Sequence, residues 1–243
     1  MASVVSFFTT ENTEPQFWLQ TLVRALCTLW LKCLREDWAK VFSDRKLPAS
    51  FLQQLKELEE SYLAEGDPIR QSGFGGGPVR WRSEREPILE AIDEDGDFLD
   101  IGCANGYLLE CLVEWASERG IALTPFGLDH GAKLIDLAKQ RLSKHKSNLY
   151  AGNAWDWKPP RQFNYVYTLH DCVPIEFLEE YIQRLVSRVV CTGGRLIIGA
   201  YGSRSEGARP FDIEGFLESR GLSVVGTAEG GDPPLTSFVW IDK

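Results

Sequence analysis

The spacing of apolar residues along the chain changes near residue 87. Before that point apolar residues recur at helical intervals, which predicts one helix over residues 15–43 and a second over 49–64. After it, short apolar runs alternate with helical stretches, the pattern of strands and helices that follow one another along the chain. The N-terminal part is therefore predicted to be helical, and the remainder to be α/β.

The alternating part contains seven predicted strands with helices between most of them. Alternation of this kind is typical of a mostly parallel sheet with helices on both faces, in which two final strands with a short link pair antiparallel. The predicted strands are 98–102, 123–128, 148–153, 163–169, 194–201, 222–228 and 236–242. The predicted helices are 87–92, 107–117, 132–143, 174–189 and 211–220.

A glycine-rich stretch, "GDPIRQSGFGGGPVRW" at residues 66–81, separates the two parts. Its five glycines and two prolines predict a flexible connection. A triphosphate loop would need a Gly-Lys-Ser/Thr sequence, which is absent, so a hinge is the preferred interpretation. We expect an N-terminal helical cap with this hinge over residues 1–80, and a core domain over 81–243.

Composition and charge exclude several classes of protein. The net charge of −9 and the pI near 5.0 argue against binding to phosphate backbones, so no nucleic acid partner is expected. Three histidines and six cysteines without a C-x-x-C pair predict no metal site and reduced thiols. Arg24 and Lys32 interrupt the most apolar stretch, and no signal peptide is recognised, which predicts a cytoplasmic protein without a membrane segment.

The segment "FLDIGCANGYLLE", residues 98–110, reads as a buried strand, a glycine turn and the start of a helix. The candidate ligand contacts in this turn are Asp100, Gly102, Cys103, Ala104 and Gly106. A dinucleotide fingerprint, G-x-G-x-x-G, fails here at residues 104 and 107. The Asp100 carboxylate would repel a pyrophosphate but attract an ammonium group, so a cofactor with a cationic end is favoured over NAD.

The second predicted strand ends in "FGLDH", which contains Asp129 and His130. Asp129 lies 23 residues after Gly106, where an acid at the end of a second strand binds ribose hydroxyls. A ribose diol together with a cationic amino-acid tail describes S-adenosylmethionine (SAM).

With these residues in place, the stretch from about residue 87 to 243 resembles a class I SAM-dependent methyltransferase. That family has a Rossmann-like sheet and an acid-x-G-x-G-x-G turn for the methionine part of SAM. The turn matches Asp100, Gly102 and Gly106, and Ala104 departs from the usual middle glycine. The family's ribose-binding acid matches Asp129.

The resemblance also implies adenine contacts after the third strand and a reaction centre after the fourth. In "AGNAWDW", Asn153 stands where the family often has an acid, and Ala154 and Trp155 are expected to be adenine neighbours. In "LHDCVP", Leu169 is expected near the cofactor, and His170 and Asp171 are the candidate catalytic residues. His170 has the intrinsic pKa of a general base, although a packing role for it is equally consistent with the sequence.

The predicted function is transfer of a methyl group by in-line displacement to a small-molecule acceptor. An acidic or aromatic acceptor could contact Arg70, Trp81, Arg82 or Arg85. Two alternatives stay open, namely a non-catalytic SAM-binding protein that interacts through its N-terminal helices and a nicotinamide-dependent oxidoreductase. Those helices could equally form a homodimer.

Overall fold

A computed structural model describes residues 45–243, and residues 47–243 form one compact unit. The helix predicted over 15–43 lies outside the described residues, as does any dimer contact made by it. The helix predicted over 49–64 is present as α1, Ala49–Leu63. The domain boundary predicted at residue 80 falls within the compact unit.

Seven strands form one mixed sheet in the order β3-β2-β1-β4-β5-β7-β6. The first five strands run parallel, and β7 is antiparallel to both β5 and β6. This confirms the predicted sheet. The strands are β1 Gly96–Ile101, β2 Leu123–Asp129, β3 Leu149–Ala151, β4 Phe163–Leu169, β5 Val190–Tyr201, β6 Gly226–Gly230 and β7 Thr236–Asp242.

Helices cover both faces of this sheet. Successive side chains of a strand point to opposite faces, so each strand contributes apolar residues to both. Phe98 packs with α3 and α4 on one face, whereas Leu99 packs with α5 and α6 on the other. By the same alternation Asp100 faces the side of α3. The helices after α1 are α2 Pro78–Arg85, α3 Tyr107–Glu118, α4 Ala132–Arg141, α5 Ile175–Arg184 and α6 Ile213–Glu218.

The last two strands pair as predicted, but β7 lies inside the sheet and β6 forms its edge. Four consecutive apolar residues of β7, from Phe238 to Ile241, are buried, as expected for a strand covered on both faces. The residues of β6 alternate between partly buried and exposed, which suits an edge position. The helix predicted over 174–189 ends earlier, at Arg184, and a wider helical turn over Leu185–Val189 follows it.

The glycine-rich segment is more ordered than its composition predicts. Ile69, Phe74 and Trp81 are buried in the same apolar core as α3. The side chain of Asn105, itself fully buried, donates to the carbonyl of Pro68 at 3.0 Å and to Gln71 Oε1 at 3.1 Å. These contacts attach the segment to the turn after β1.

Candidate functional site

The turn after β1 has a left-handed backbone at three positions. The φ angles of Gly102, Ala104 and Gly106 are 91°, 45° and 73°. Ala104 is the only residue other than glycine with positive φ among residues 45–243, so its departure from the usual glycine carries backbone strain. The turn is anchored to β2, since the amides of Gly102 and Cys103 donate to the carbonyl of Leu128 at 2.8 and 3.1 Å.

Asp129 ends β2 beside this turn, and its carboxylate organises the surrounding backbone. Oδ2 accepts from the Ala104 amide and Oδ1 accepts from the Gly131 amide, both at 2.8 Å. His130 Nδ1 lies 3.3 Å from Oδ1, and His130 Nε2 lies 2.7 Å from the carbonyl oxygen of Leu55. Burial raises the pKa of Asp129, while these amides and His130 act in the opposite direction.

Asp100 differs from Asp129 in that an oxygen of its buried carboxylate accepts no hydrogen bond from the described residues. The residue is 1% exposed, and Oδ2 has no hydrogen bond within residues 45–243. Burial, with a further contribution from the negative charge of Asp129, raises the pKa of Asp100 to about 8. A buried polar atom without a partner calls for a ligand or a proton, since such groups are normally satisfied.

Both aspartates line a cavity of about 170 Å³ above the carboxyl ends of β1 and β4. This is the edge of an open parallel sheet where ligands bind. Predicted residues line it together with several that were not predicted from sequence. The predicted lining residues are Trp81, Arg85, Asp100, Gly102, Cys103, Ala104, Asp129, His130, Leu169 and Asp171.

A second cavity adjoins the first and contains part of the predicted adenine site. Asn153 and Ala154 line it, and it shares Asp129 and His130 with the larger cavity. Asn153 Oδ1 already accepts from the Trp155 amide at 2.8 Å. Trp155 itself lines neither cavity, because its ring is buried against Phe177 under α5.

The two predicted catalytic residues point to different surroundings. Asp171 is exposed and lines the larger cavity. His170 lines neither cavity; its ring stacks on Phe211 with 4.9 Å between ring centroids. Its Nδ1 is buried and has no partner among the described residues. The loop after β4 therefore brings one of these two side chains to the cavity.

Three groups of lining residues were not predicted from sequence. Helix α1 contributes Leu55, Leu58, Glu59 and Tyr62 to the cavity wall. Their spacing of three to four residues places them on one helical face, which the apolar pattern marked only as a packing surface. Tyr167 and Tyr201, whose hydroxyls are 2.5 Å apart, form the second group. The third consists of Ser72, Leu108, Leu134 and Cys172.

The four side chains predicted as possible acceptor contacts separate into two pairs. Arg82 forms ion pairs with Glu86 at 2.8 Å and Glu118 at 2.5 Å, and Arg70 is exposed. Neither of them lines the cavity. Trp81 and Arg85 are buried and do line it.

Several solved structures that are similar to this chain are methyltransferases. The N-methyltransferase NodS from Bradyrhizobium japonicum WM9, in complex with S-adenosyl-L-homocysteine (SAH), is 17% identical with a TM-score of 0.58, over 77% of this chain and 96% of NodS. The chain has the fold of the class I methyltransferases. A DhpI–SAM–HEP complex is 19% identical with a TM-score of 0.54, over 83% of this chain and 100% of DhpI.

A third similar structure is larger than the present chain. It is an O-methyltransferase family 2 protein from Planctomyces limnophilus DSM 3776 in complex with apigenin, 11% identical with a TM-score of 0.53. The match covers 76% of this chain and 61% of that one. No protein-family model and no curated protein matches the sequence.

Residues 45–243 contain neither a helix that could span a membrane nor a cluster of metal-binding side chains. No helix in this part combines the length and the hydrophobicity needed to cross a membrane. No group of three or more His, Cys, Asp or Glu side chains in it is arranged to hold a metal ion.

Proposed function

We propose that this protein is a SAM-dependent methyltransferase that acts on a small-molecule acceptor. The observation that carries the proposal is the buried Asp100 carboxylate at the edge of the glycine turn, whose Oδ2 has no hydrogen-bond partner within residues 45–243. An ammonium group is the natural complement of such a carboxylate, and the amino-acid end of SAM carries one. The Asp100 carboxylate would repel a pyrophosphate, which disfavours a nicotinamide dinucleotide.

The remaining residues fit the other parts of SAM in the order of the strands. Asp129, one strand away on β2, retains lone pairs beyond its two amide contacts that could accept from ribose hydroxyls. The smaller cavity, with Asn153 and Ala154, lies next to Asp129 and suits the adenine ring. We therefore assign Asp100, Gly102, Cys103, Ala104, Gly106, Asp129, His130, Asn153 and Ala154 to cofactor binding.

When bound, SAM would supply a methyl group whose carbon an acceptor atom attacks in line, with SAH as the leaving group. The protein's own contribution is orientation of the acceptor and exclusion of water. Helix α1 covers the cavity with Leu55, Leu58 and Tyr62. A cover of this kind favours an acceptor small enough to be enclosed.

For an acceptor that must lose a proton, Asp171 is the residue of the predicted pair that we propose as general base. It lines the cavity, whereas the His170 ring is stacked on Phe211. A base must come within hydrogen-bond reach of the proton it removes, so position decides between them. His170 is then a positioning residue that fixes the loop after β4.

Release of SAH in the presence of an acceptor library tests the proposal. The purified protein is incubated with SAM and with pools of small hydroxyl, amine and thiol compounds, and SAH is quantified by mass spectrometry. We expect SAH release that depends on both an acceptor pool and intact Asp129. A protein that binds SAM but yields no SAH with any pool would instead favour the non-catalytic alternative.

A further inference from the structure

We propose that Arg85 binds a carboxylate of the methyl acceptor, so that the substrate is a small acid with a flat apolar body. This inference rests on the proposed function and adds the chemical class of its substrate. It is carried by the position, burial and incomplete pairing of the Arg85 guanidinium in the cavity wall.

Arg85 is a buried cation whose ion pairing is weak. It is 4% exposed, and its nearest carboxylate oxygen is Glu84 Oε2, at 3.7 Å. Glu84 is itself paired with Arg80, whose Nε lies 2.6 Å from Glu84 Oε1. The one hydrogen bond that Arg85 makes within residues 45–243 is from Nη1 to the Glu84 carbonyl at 3.3 Å. A guanidinium has five donors in a rigid fork, so most of them remain for a ligand.

Aromatic rings hold this guanidinium in place. Its Cζ lies 3.6 Å from the ring centroid of Tyr201, 5.0 Å from that of Phe74 and 5.1 Å from that of Trp81. Stacking on several rings orients the fork while leaving its edge for a planar anion. Lysine lacks the fork, so a carboxylate held by two parallel hydrogen bonds is the ligand that matches this side chain.

The place of Arg85 along the sheet separates it from the proposed cofactor site. Tyr201, on which it stacks, ends β5, and β5 is two strands away from β1 in the sheet. Neighbouring strands are about 4.8 Å apart, so the carboxyl ends of β1 and β5 are separated by about 10 Å. The carboxylate of SAM lies one carbon from its ammonium, and Asp100 is proposed to bind that ammonium. Arg85 therefore faces the acceptor's end of the cavity.

The charges in the cavity wall favour binding of the acceptor's carboxylate at Arg85 and disfavour it elsewhere. Among residues 45–243, the acids that line the cavity are Glu59, Asp100, Asp129 and Asp171, and Arg85 is its only lysine or arginine. An anionic acceptor is repelled from the other walls and attracted to Arg85 alone. Trp81, Tyr167 and Tyr201 then contact the apolar body of the acceptor.

The test uses full-length protein saturated with SAH and two probes that differ only in charge, 4-hydroxybenzoate and 4-hydroxybenzamide. Affinities are measured by ligand-observed NMR titration for the wild type, Arg85→Met and Arg85→Lys. Arg82→Met is the matched control, because Arg82 lies on the same helix but its ion pairs are on the surface. SAH affinity is measured by calorimetry for each protein.

We expect the wild type to prefer the benzoate over the benzamide by roughly tenfold or more. Arg85→Met should remove that preference, Arg85→Lys should reduce it, and Arg82→Met should leave it unchanged. SAH affinity should stay within about twofold in all four proteins, because Arg85 does not contact the cofactor in this proposal.

Two results would overturn the inference while leaving the proposed function intact. One is that the SAH-loaded wild type binds both probes equally or binds neither. The other is that Arg85→Met weakens SAM but not decarboxylated SAM, which would assign Arg85 to the cofactor's own carboxylate. If Arg85→Met does not fold, the wild-type comparison of the probes and Arg85→Lys decide. Failure of the wild type to bind SAH at all would instead contradict the proposed function.

Discussion

Asp100 and Asp129 lie on adjacent strands and are both buried, but within the part of the chain that the structure describes only Asp129 has hydrogen-bond partners. Asp129 accepts from two backbone amides, so it holds the turn in shape before any ligand arrives. Asp100 has no such partner for Oδ2 within the described residues. Its ionised form is therefore costly unless a cation lies close to it.

The first prediction concerns the pH dependence of stability. The folded state raises the pKa of Asp100 from 3.8 to about 8, so folding favours the protonated carboxyl. The contribution of Asp100 to stability is then most favourable below about pH 4 and is lost as the pH rises to about 8.

Asp100→Asn should remove this loss of stability with rising pH. The ligand-free variant should be more stable than the wild type at about pH 8, by on the order of a few kcal/mol, and similar at about pH 4. Chemical denaturation at the two pH values measures the difference, and parallel stability curves would contradict the assignment.

A second prediction concerns the ligand role of Asp129 beside its structural role. Complete removal of the side chain would release both the Ala104 and the Gly131 amide, whereas the carboxamide oxygen of Asp129→Asn still accepts from one of them, so Asp129→Asn is the less disruptive variant. Loss of a charge-assisted hydrogen bond to ribose should weaken SAH binding by roughly tenfold to a hundredfold in calorimetry. Asp136→Asn, an exposed acid on α4, serves as the control. Unchanged SAH affinity in Asp129→Asn would remove the ribose assignment.

A third prediction compares the two candidate catalytic residues. Asp171→Asn should lower turnover by roughly a hundredfold while SAH affinity stays unchanged, provided that the acceptor loses a proton in the reaction. His170→Ala should lower turnover less, because the ring is stacked on Phe211 away from the cavity. Steady-state rates of SAH release check both variants. The reverse order of effects would restore His170 as the base.

At the scale of elements, the site depends on how closely α4 approaches the turn after β1. A Cβ added at Gly106 would lie 3.0 Å from the Cβ of Ala138, on α4. Gly106 also has a φ of 73° and directly precedes α3. The third small position of the turn thus serves helix packing, and Gly106 lines neither cavity, which the sequence pattern did not show.

The fourth prediction tests the packing of Gly106 against Ala138 on α4. Gly120 has a similar φ of 78°, but an added Cβ would have nothing within 4 Å. Gly120→Ala should therefore cost about 1 kcal/mol, from backbone strain alone. Gly106→Ala should cost about 2 to 4 kcal/mol, because α4 must also move. Denaturant unfolding of both variants gives the comparison, and equal destabilisation would show that the contact with Ala138 is unimportant.

The strands and helices were predictable where the hydrophobic period is clear, as in β4 and β7, whose predicted bounds agree with the structure. The glycine-rich segment was not, since the burial of Phe74 and Trp81 depends on α3 and on β-strands distant in sequence. Tyr201 and Arg85 likewise meet only through tertiary packing. The local hydrophobic pattern predicts individual strands and helices. It does not predict a cavity wall, because residues from several strands and helices form that wall.

At the scale of the whole molecule, the sheet edge, the glycine turn and helix α1 enclose one cavity. Residues from α1, α2, β1, β2, β4 and β5 line the same cavity. Of the residues predicted for the cofactor, those of the turn except Gly106 and those at the end of β2 line this cavity, and Asn153 and Ala154 line the adjoining one. The proposed reaction and the proposed substrate both depend on which cofactor binds at this edge of the sheet.

Calorimetric titration of the wild-type protein with SAM and, separately, with NAD⁺ shows which cofactor the protein binds. We expect one SAM site per chain and no NAD⁺ binding. Because an ammonium next to Asp100 lowers the pKa of its carboxyl, SAM binding should release a proton at about pH 6 to 7 in the wild type. Titration in buffers of different ionisation enthalpy detects that proton, and Asp100→Asn should abolish its release. Binding of NAD⁺ without SAM, or SAM binding with the same proton release in Asp100→Asn, would contradict the account.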